Sequence, residues 1–284
     1  MIRIDQIVKG RTRDLTSTQR NVLDFILKHP EDAAFYTATE LAAKLEVSDT
    51  TIVRLAQALG YKGYPHLKRK LREFVQPRVT TVQRLGETVR RVESIADVLN
   101  SVMARDLNNL KMTMEETDPA LFTAVVHEMD KAKRIFIIAL RSTHCLGVFM
   151  ASALKFLGRD VVLLTPGIGE MPDQMRDLGK KDLVIGFAFP RYTRVTVEVL
   201  REARERGARV VAVTDGELSP LNRFAHHSLT AAYELDSHVE SFTAALSLVN
   251  AQVTALAFES RADTLNILND MEDAWEKQNV YWKG

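Results

Sequence analysis

Only one cysteine, Cys145, occurs in the 284 residues. An intramolecular disulfide is therefore impossible, and a cysteine-based zinc cluster has no partners to draw on. Its place one turn into an apolar helical run predicts a buried small hydrophobe. No stretch approaches ~20 consecutive apolar residues, so no membrane-spanning helix is expected. The first ten residues carry Asp5 and no long apolar run, unlike a secretory signal, and the chain reads as cytosolic. Also missing are a glycine-rich nucleotide-phosphate string and any His-x-x-x-His or Cys-x-x-Cys pair, so neither a metal nor a cofactor is expected. Internal repeats and low-complexity tracts are absent as well.

What remains is an ordinary globular composition, 46% hydrophobic and 26% charged, which excludes a wholly disordered chain. The length exceeds what one hydrophobic core usually serves, so two domains are expected. The formal net charge of +1 conceals an asymmetry. Residues 1–80 carry 14 Lys+Arg against 9 Asp+Glu, whereas the rest of the chain is acidic. Lys62, Lys68, Arg69, Lys70, Arg72 and Arg78 crowd one short stretch with only Glu73 opposing them. A basic end on an acidic body points to an anionic polymer held at that end.

Residues 17–75 read as short helices. Val22, Phe25 and Ile26 form an apolar stripe behind the capping candidates Thr16 and Ser17, and Pro30 stops that helix. Thr37 and Glu40 form a capping box for the next helix, and Ser48 caps a third, which buries Ile52, Leu55, Ala56 and Leu59 and ends at Gly60. Residues 40–54 thus read as helix–turn–helix, with Ala42 and Ala43 at the crossing and Val47 plugging the turn. The second helix presents Asp49, Thr50, Thr51 and Arg54 at its exposed amino-terminal end, where base edges are met. Ser48 sits where a helix terminus accepts a DNA phosphate. Tyr61 and Tyr64 read as core or turn packing.

The string Glu40-Leu41-Ala42, Val47-Ser48, Thr51-Ile52-Val53-Arg54 and Leu59-Gly60-Tyr61-Lys62-Gly63-Tyr64 resembles the amino-terminal domain of RpiR/MurR-type bacterial transcriptional regulators. The resemblance covers residues 5–77 and implies operator binding. It makes Ser48, Thr50, Thr51 and Arg54 candidates for groove contact. Lys62, Lys68, Arg69 and Lys70 are candidates for the phosphate backbone on the charge argument.

Beyond residue 78 the rhythm changes. Val89, Val92, Ile95, Val98, Leu99, Val102, Leu107 and Leu110 recur at helical spacing, which predicts a connecting helix packing on another domain or a second chain. A further helix starts at Asp118-Pro119. Short apolar runs at 135–140, 161–164, 183–187 and 210–214 then alternate with helices at 144–157, 170–179 and 193–206, the pattern of a parallel sheet covered on both faces. A fifth strand at 228–231 and a long helix over 239–263 follow. The expected architecture is α/β: an all-α helix–turn–helix domain (1–77), a helical linker (78–118) and a three-layer αβα domain with a parallel sheet (119–284).

That second half resembles the sugar isomerase (SIS) domain of the same regulators, on Arg134–Ile138 leading to Arg141-Ser142-Thr143, Thr193-x-x-Thr196, Glu205–Asp215 and Ser219-Pro220-Leu221. Ligands of a parallel sheet settle beyond the carboxyl ends of its strands, where Ser142 and Thr143 follow the first strand. The same two residues serve equally as helix caps. Sugar-phosphate members usually carry Ser-x-Ser-Gly-x-Thr where this chain has Ala188-Phe189-Pro190-Arg191-Tyr192-Thr193, and glycines are common where Ala139 and Arg141 stand. Arg191 can replace lost hydroxyls with a charge-assisted fork to an anion.

The expected effector set is Arg141, Ser142, Thr143, Arg191, Tyr192, Thr193, His238 and Glu240. The expected function is a repressor of a carbohydrate or sugar-acid operon, binding an operator as a homodimer or homotetramer and controlled by a sugar phosphate or sugar acid. Two readings compete with it: an aldose–ketose isomerase using His238 and Glu240, or His226 and His227, as acid and base, and a DNA-binding protein whose SIS domain is purely structural and answers to no small molecule.

Overall fold

The computed structural model describes residues 15–75, 80–82, 84–86, 94–167, 170–233 and 239–282. The sequence expectations for Arg78, Val89, Val92 and His238 lie outside the described residues. The chain divides into two compact units, Met1–Gln83 and Arg84–Gly284.

In the first unit, α1 (Ser17–Lys28) opens on a full capping box, Thr16 with Gln19. Pro30 ends it and also starts α2 (Pro30–Phe35), whose first position needs no N–H. A second capping box, Thr37 with Glu40, opens α3 (Ala38–Lys44), and Ser48 caps α4 (Asp49–Ala58). The basic α5 (Tyr64–Val75) closes the unit. Val22, Ile26, Leu41, Ile52, Leu55 and Leu67 are among its buried core residues. Both tyrosines of the turn are buried, and the Tyr64 hydroxyl donates to the carbonyls of Ala33 (3.1 Å) and Tyr36 (3.3 Å). Of the two alanines expected at the helix crossing, Ala42 is buried but Ala43 is exposed. One residue turns a helix by about 100°, which carries Ala43 off the packed face.

The second unit begins with α6 (Ile95–Glu116) and α7 (Pro119–Lys131). Five parallel strands follow: β1 (Ile135–Ala139), β2 (Val161–Leu164), β3 (Leu183–Phe187), β4 (Arg209–Thr214) and β5 (His227–Thr230). Between them lie α8 (His144–Phe156), α9 (Glu170–Gln174) and α10 (Arg194–Glu205). The chain ends in α11 (Thr243–Glu259) and α12 (Arg261–Lys277).

Alternating strand residues feed two cores. Ile135, Ile137 and Ala139 pack with α7, α8 and α11; Phe136 and Ile138 pack with α9 and α10 on the other face. Two glycines permit the close approach of helix to sheet. A Cβ on Gly147 would lie 2.7 Å from that of Ala139, and one on Gly186 would lie 2.4 Å from Leu200 Cδ1.

The strand order is β2-β1-β3-β4-β5. The chain leaves β1 toward β2 on one side and returns to β3 on the other, so the loops after β1 and β3 diverge. This topological switch point opens a crevice at the carboxyl ends of those two strands.

Two helical expectations are corrected. The helix expected over 170–179 stops at Gln174, and the single helix expected over 239–263 breaks at Ser260 into α11 and α12. Arg159 Nη2 donates to the Ser260 hydroxyl (2.6 Å), which donates to Asp130 (2.8 Å), and Arg159 pairs directly with Asp130 (2.7 Å). That three-way contact holds the break. The Ser260 hydroxyl, followed by Arg159, keeps the Asp130 carboxyl below its ordinary range.

Candidate functional site

On the first unit, the motif residues converge on the start of α4. The Ser48 hydroxyl accepts from Thr51 N (3.3 Å) and shares a hydrogen bond with the Thr51 hydroxyl (2.9 Å), so it caps the helix. Thr50 and Arg54, one turn apart, are exposed on the same side, and Thr51 is half-buried. Asp49 is also exposed, and it accepts from the Thr39 hydroxyl of α3 (2.7 Å), a surface contact between the two helices. Lys62 is exposed at the turn before α5, and Lys68, Arg69 and Lys70 are half-buried along α5. The result is a polar helix end beside a basic helix, the kind of surface that a reading helix and a phosphate-gripping helix present.

On the second unit, the loop after β1 tightens into a short 3₁₀ turn, Arg141–Thr143, ahead of α8. Neither hydroxyl there caps α8. Thr143 is buried and donates to the carbonyl of Leu140 (2.8 Å) and, more weakly, to that of Phe187 (3.4 Å), tying the ends of β1 and β3 together. Ser142 instead donates to Glu240, which arrives from the segment before α11. Arg84 Nη1 lies 3.8 Å from the other Glu240 oxygen, with its side chain only 6% exposed. Tyr233 is buried beside this pair. Burial, then the Glu240 charge, pushes its phenol above the ordinary tyrosine value. Its ring stacks at 5.1 Å on Phe189 from the β3 loop, and Phe242 completes the aromatic wall at 5.4 Å from Phe189.

The β3 loop itself carries Arg191, exposed, and Tyr192, whose hydroxyl donates to both Asp215 oxygens (2.9 and 3.1 Å). Thr193 shares a hydrogen bond with Thr196 in the first turn of α10 (2.7 Å). Both crevice loops hold an arginine in the left-handed backbone region, Arg141 at φ 57° and Arg191 at φ 73°. A side chain there costs about 1–2 kcal/mol relative to the right-handed form, so the rest of each loop enforces it.

Sequence reasoning had no means of finding Arg84, Tyr233 or Phe242, which come from three separate segments; Phe189 stood in the loop string but without a role. Cys145 is exposed rather than buried. The inward stripe of α8 is Leu146, Met150 and Leu154, and Cys145 falls one residue off it, with Sγ 3.2 Å from the Ser142 carbonyl. His227 begins β5 and His226 directly precedes it, at the amino ends of the strands, opposite the crevice. Among the described residues, no three His, Cys, Asp or Glu side chains converge as metal ligands.

A polar-tipped reading helix on one unit and a doubly wound sheet with a switch-point crevice on the other define a DNA-binding regulator that carries a sugar-isomerase-type domain. Comparison with known proteins identifies both halves. Residues 2–78 match the helix-turn-helix domain of the rpiR family, and residues 128–255 match the SIS domain. The chain belongs to the rpiR family of transcriptional regulators.

A relative from Haemophilus influenzae, described as an HTH-type transcriptional regulator, is 27% identical over 225 residues, covering 76% of this chain and 75% of its own. The sugar isomerase domain of an RpiR transcription factor from Sphaerobacter thermophilus is 29% identical, with a TM-score of 0.59 over 61% of this chain and 97% of that one. The NanR protein of Vibrio vulnificus, solved with ManNAc-6P, is 20% identical, with a TM-score of 0.59 over 97% of this chain and 99% of its own. Among the described residues, no helix is long and apolar enough to cross a membrane.

Proposed function

We propose that this regulator is a cytoplasmic repressor of a carbohydrate or sugar-acid operon, and that a small phosphorylated sugar or sugar acid held in the β1–β3 crevice governs its grip on DNA. The observation that carries this reading is the pair of strained arginines, Arg141 and Arg191, at the two loops of the switch point. A guanidinium supplies the forked donors that a phosphate or carboxylate requires. Ser142 and Glu240 close the crevice between them. Thr143, Tyr192 and Thr193 hold the loops through their own hydrogen bonds. The ManNAc-6P complex of the Vibrio vulnificus relative supports the sugar-phosphate class.

Ser48, Thr50, Thr51 and Arg54 read the operator in this proposal, and Lys62, Lys68, Arg69 and Lys70 grip its phosphates. Two heads on one near-palindromic site require at least a dimer. Exposed Ile95, Leu99, Leu107 and Met114 on α6 are the kind of apolar stripe that a second copy buries.

The crevice performs no turnover in this reading. Its carboxylate, Glu240, is already committed to Ser142 and Arg84, whereas a general base must be available to the substrate's proton. The decisive experiment measures fluorescence anisotropy on the DNA upstream of the protein's own gene, with and without a panel of sugar phosphates and sugar acids, alongside an aldose–ketose assay. Binding that one of these compounds shifts supports the proposal. Sugar conversion without DNA binding overturns it.

A further inference from the structure

We propose that Glu240 is a built-in rival of the anionic ligand: its carboxylate and the ligand's phosphate exclude one another at the Ser142 hydroxyl. The inference rests on the sensing role proposed above and names the group against which the ligand competes.

A serine hydroxyl has one proton to donate. Ser142 gives it to Glu240, on the loop where an incoming anion would need it. Two anions cannot share that donor without close repulsion. Glu240 is not a solvated side chain that happens to touch the loop. Only 17% of its side chain is exposed, and Arg84 neutralises its second oxygen. The three residues after it are fixed from elsewhere. Phe242 packs in the aromatic wall, and the hydroxyls of Ser241 and Thr243 both donate to Asp106 of α6, at 2.5 and 2.8 Å. The segment is therefore placed by α6 and by Arg84 before any ligand arrives.

The position of Arg84 gives the exchange a consequence. It is the first residue of the second compact unit and follows directly on Gln83, the last of the DNA-reading unit. Displacing Glu240 from Ser142 alters the anion that holds Arg84. An event in the crevice is thereby felt at the covalent junction with the head, which supplies the differential contact that a ligand needs to shift a conformational equilibrium.

The test is calorimetric titration of the full chain with inorganic phosphate and with glucose 6-phosphate at constant ionic strength. It compares wild type, Glu240→Gln, Glu240→Ala and Ser142→Ala, with folding of each verified by circular dichroism. Both Glu240 variants are expected to bind phosphate at least fivefold more tightly than wild type, and Ser142→Ala at least fivefold more weakly. Hydrogen exchange supplies a second reading. Amides of residues 80–86 should exchange faster in Glu240→Gln alone, and faster in wild type once phosphate is added. If wild type binds phosphate but both Glu240 variants bind it equally or more weakly, the rivalry is wrong and Glu240 holds the ligand, while the sensing role stands. If none of the four proteins binds either compound, the sensing role fails and this inference falls with it.

Discussion

Replacing Arg141 and Arg191 by glycine should make the protein more stable and less responsive at once. Both residues sit in the left-handed region, at φ 57° and 73°, where a Cβ crowds the backbone. Relief of that crowding is worth about 1–2 kcal/mol per position. Glycine gives back roughly 0.5–1 kcal/mol through the extra freedom of the unfolded chain. The net gain is about 0.5–1 kcal/mol per site, or about 1–2 kcal/mol for the double variant, since the residues lie on different loops. For a unit of this size that is a rise in Tm of roughly 2–8 °C. Against it stands the loss of charge-assisted hydrogen bonds to an anion, about 1.5–3 kcal/mol each, which weakens phosphate affinity roughly 10- to 100-fold per arginine. Scanning calorimetry of the sheet-containing unit reads the first effect, and phosphate titration reads the second. A Tm that stays level or falls would show that other contacts of these side chains outweigh the strain. A Tm that rises with phosphate affinity unchanged would remove both guanidinium groups from the ligand.

Four further outcomes are expected. Arg54→Ala should cost about 1–3 kcal/mol on operator DNA and little on random DNA; an equal loss on both would mean that Arg54 only grips phosphate. Lys62→Ala should weaken binding uniformly across sequences and reduce the slope of log affinity against log salt by about 1, as measured by anisotropy at several salt concentrations. Burial, with Arg209 and Arg204 nearby, holds the His226 imidazole below its ordinary value of 6.5, and its Nδ1 accepts from Val210 N at 3.0 Å. The unfolded chain then binds more protons below pH 6.5, so stability should fall as the solution is acidified through that window, and His226→Gln should flatten the Tm–pH curve there. Gly186→Ala should destabilise the second unit by about 1–3 kcal/mol in denaturant titration. The cause is a new Cβ lying 2.4 Å from the buried Leu200 Cδ1.

Much of the architecture was legible because it is encoded locally. Thr16, Thr37 and Ser48 announce helix starts within three residues of themselves, and all three cap as their spacing implies. The short apolar runs after residue 134 declare strands because a strand buried on both faces needs no polar residue. The strand order then places the crevice without reference to any side chain. The extent of α9, the break at Ser260 and the exposure of Cys145 were less legible. Each depends on where a neighbouring element lies. The break is held by Asp130 and Arg159, more than 100 residues away along the chain.

From the order of its residues alone, this chain specified a capped reading helix and a parallel sheet with hydroxyls at a strand end, since hydrogen bonds within a turn and apolar periodicity act between near neighbours. To which anion the Ser142 hydroxyl donates its hydrogen bond is a matter of tertiary structure. Glu240 lies 98 residues from Ser142, and Arg84 is further still from Glu240. Coulombic and hydrogen-bonding partners so distant in sequence meet only after burial of the two cores has paid the entropy of bringing them together.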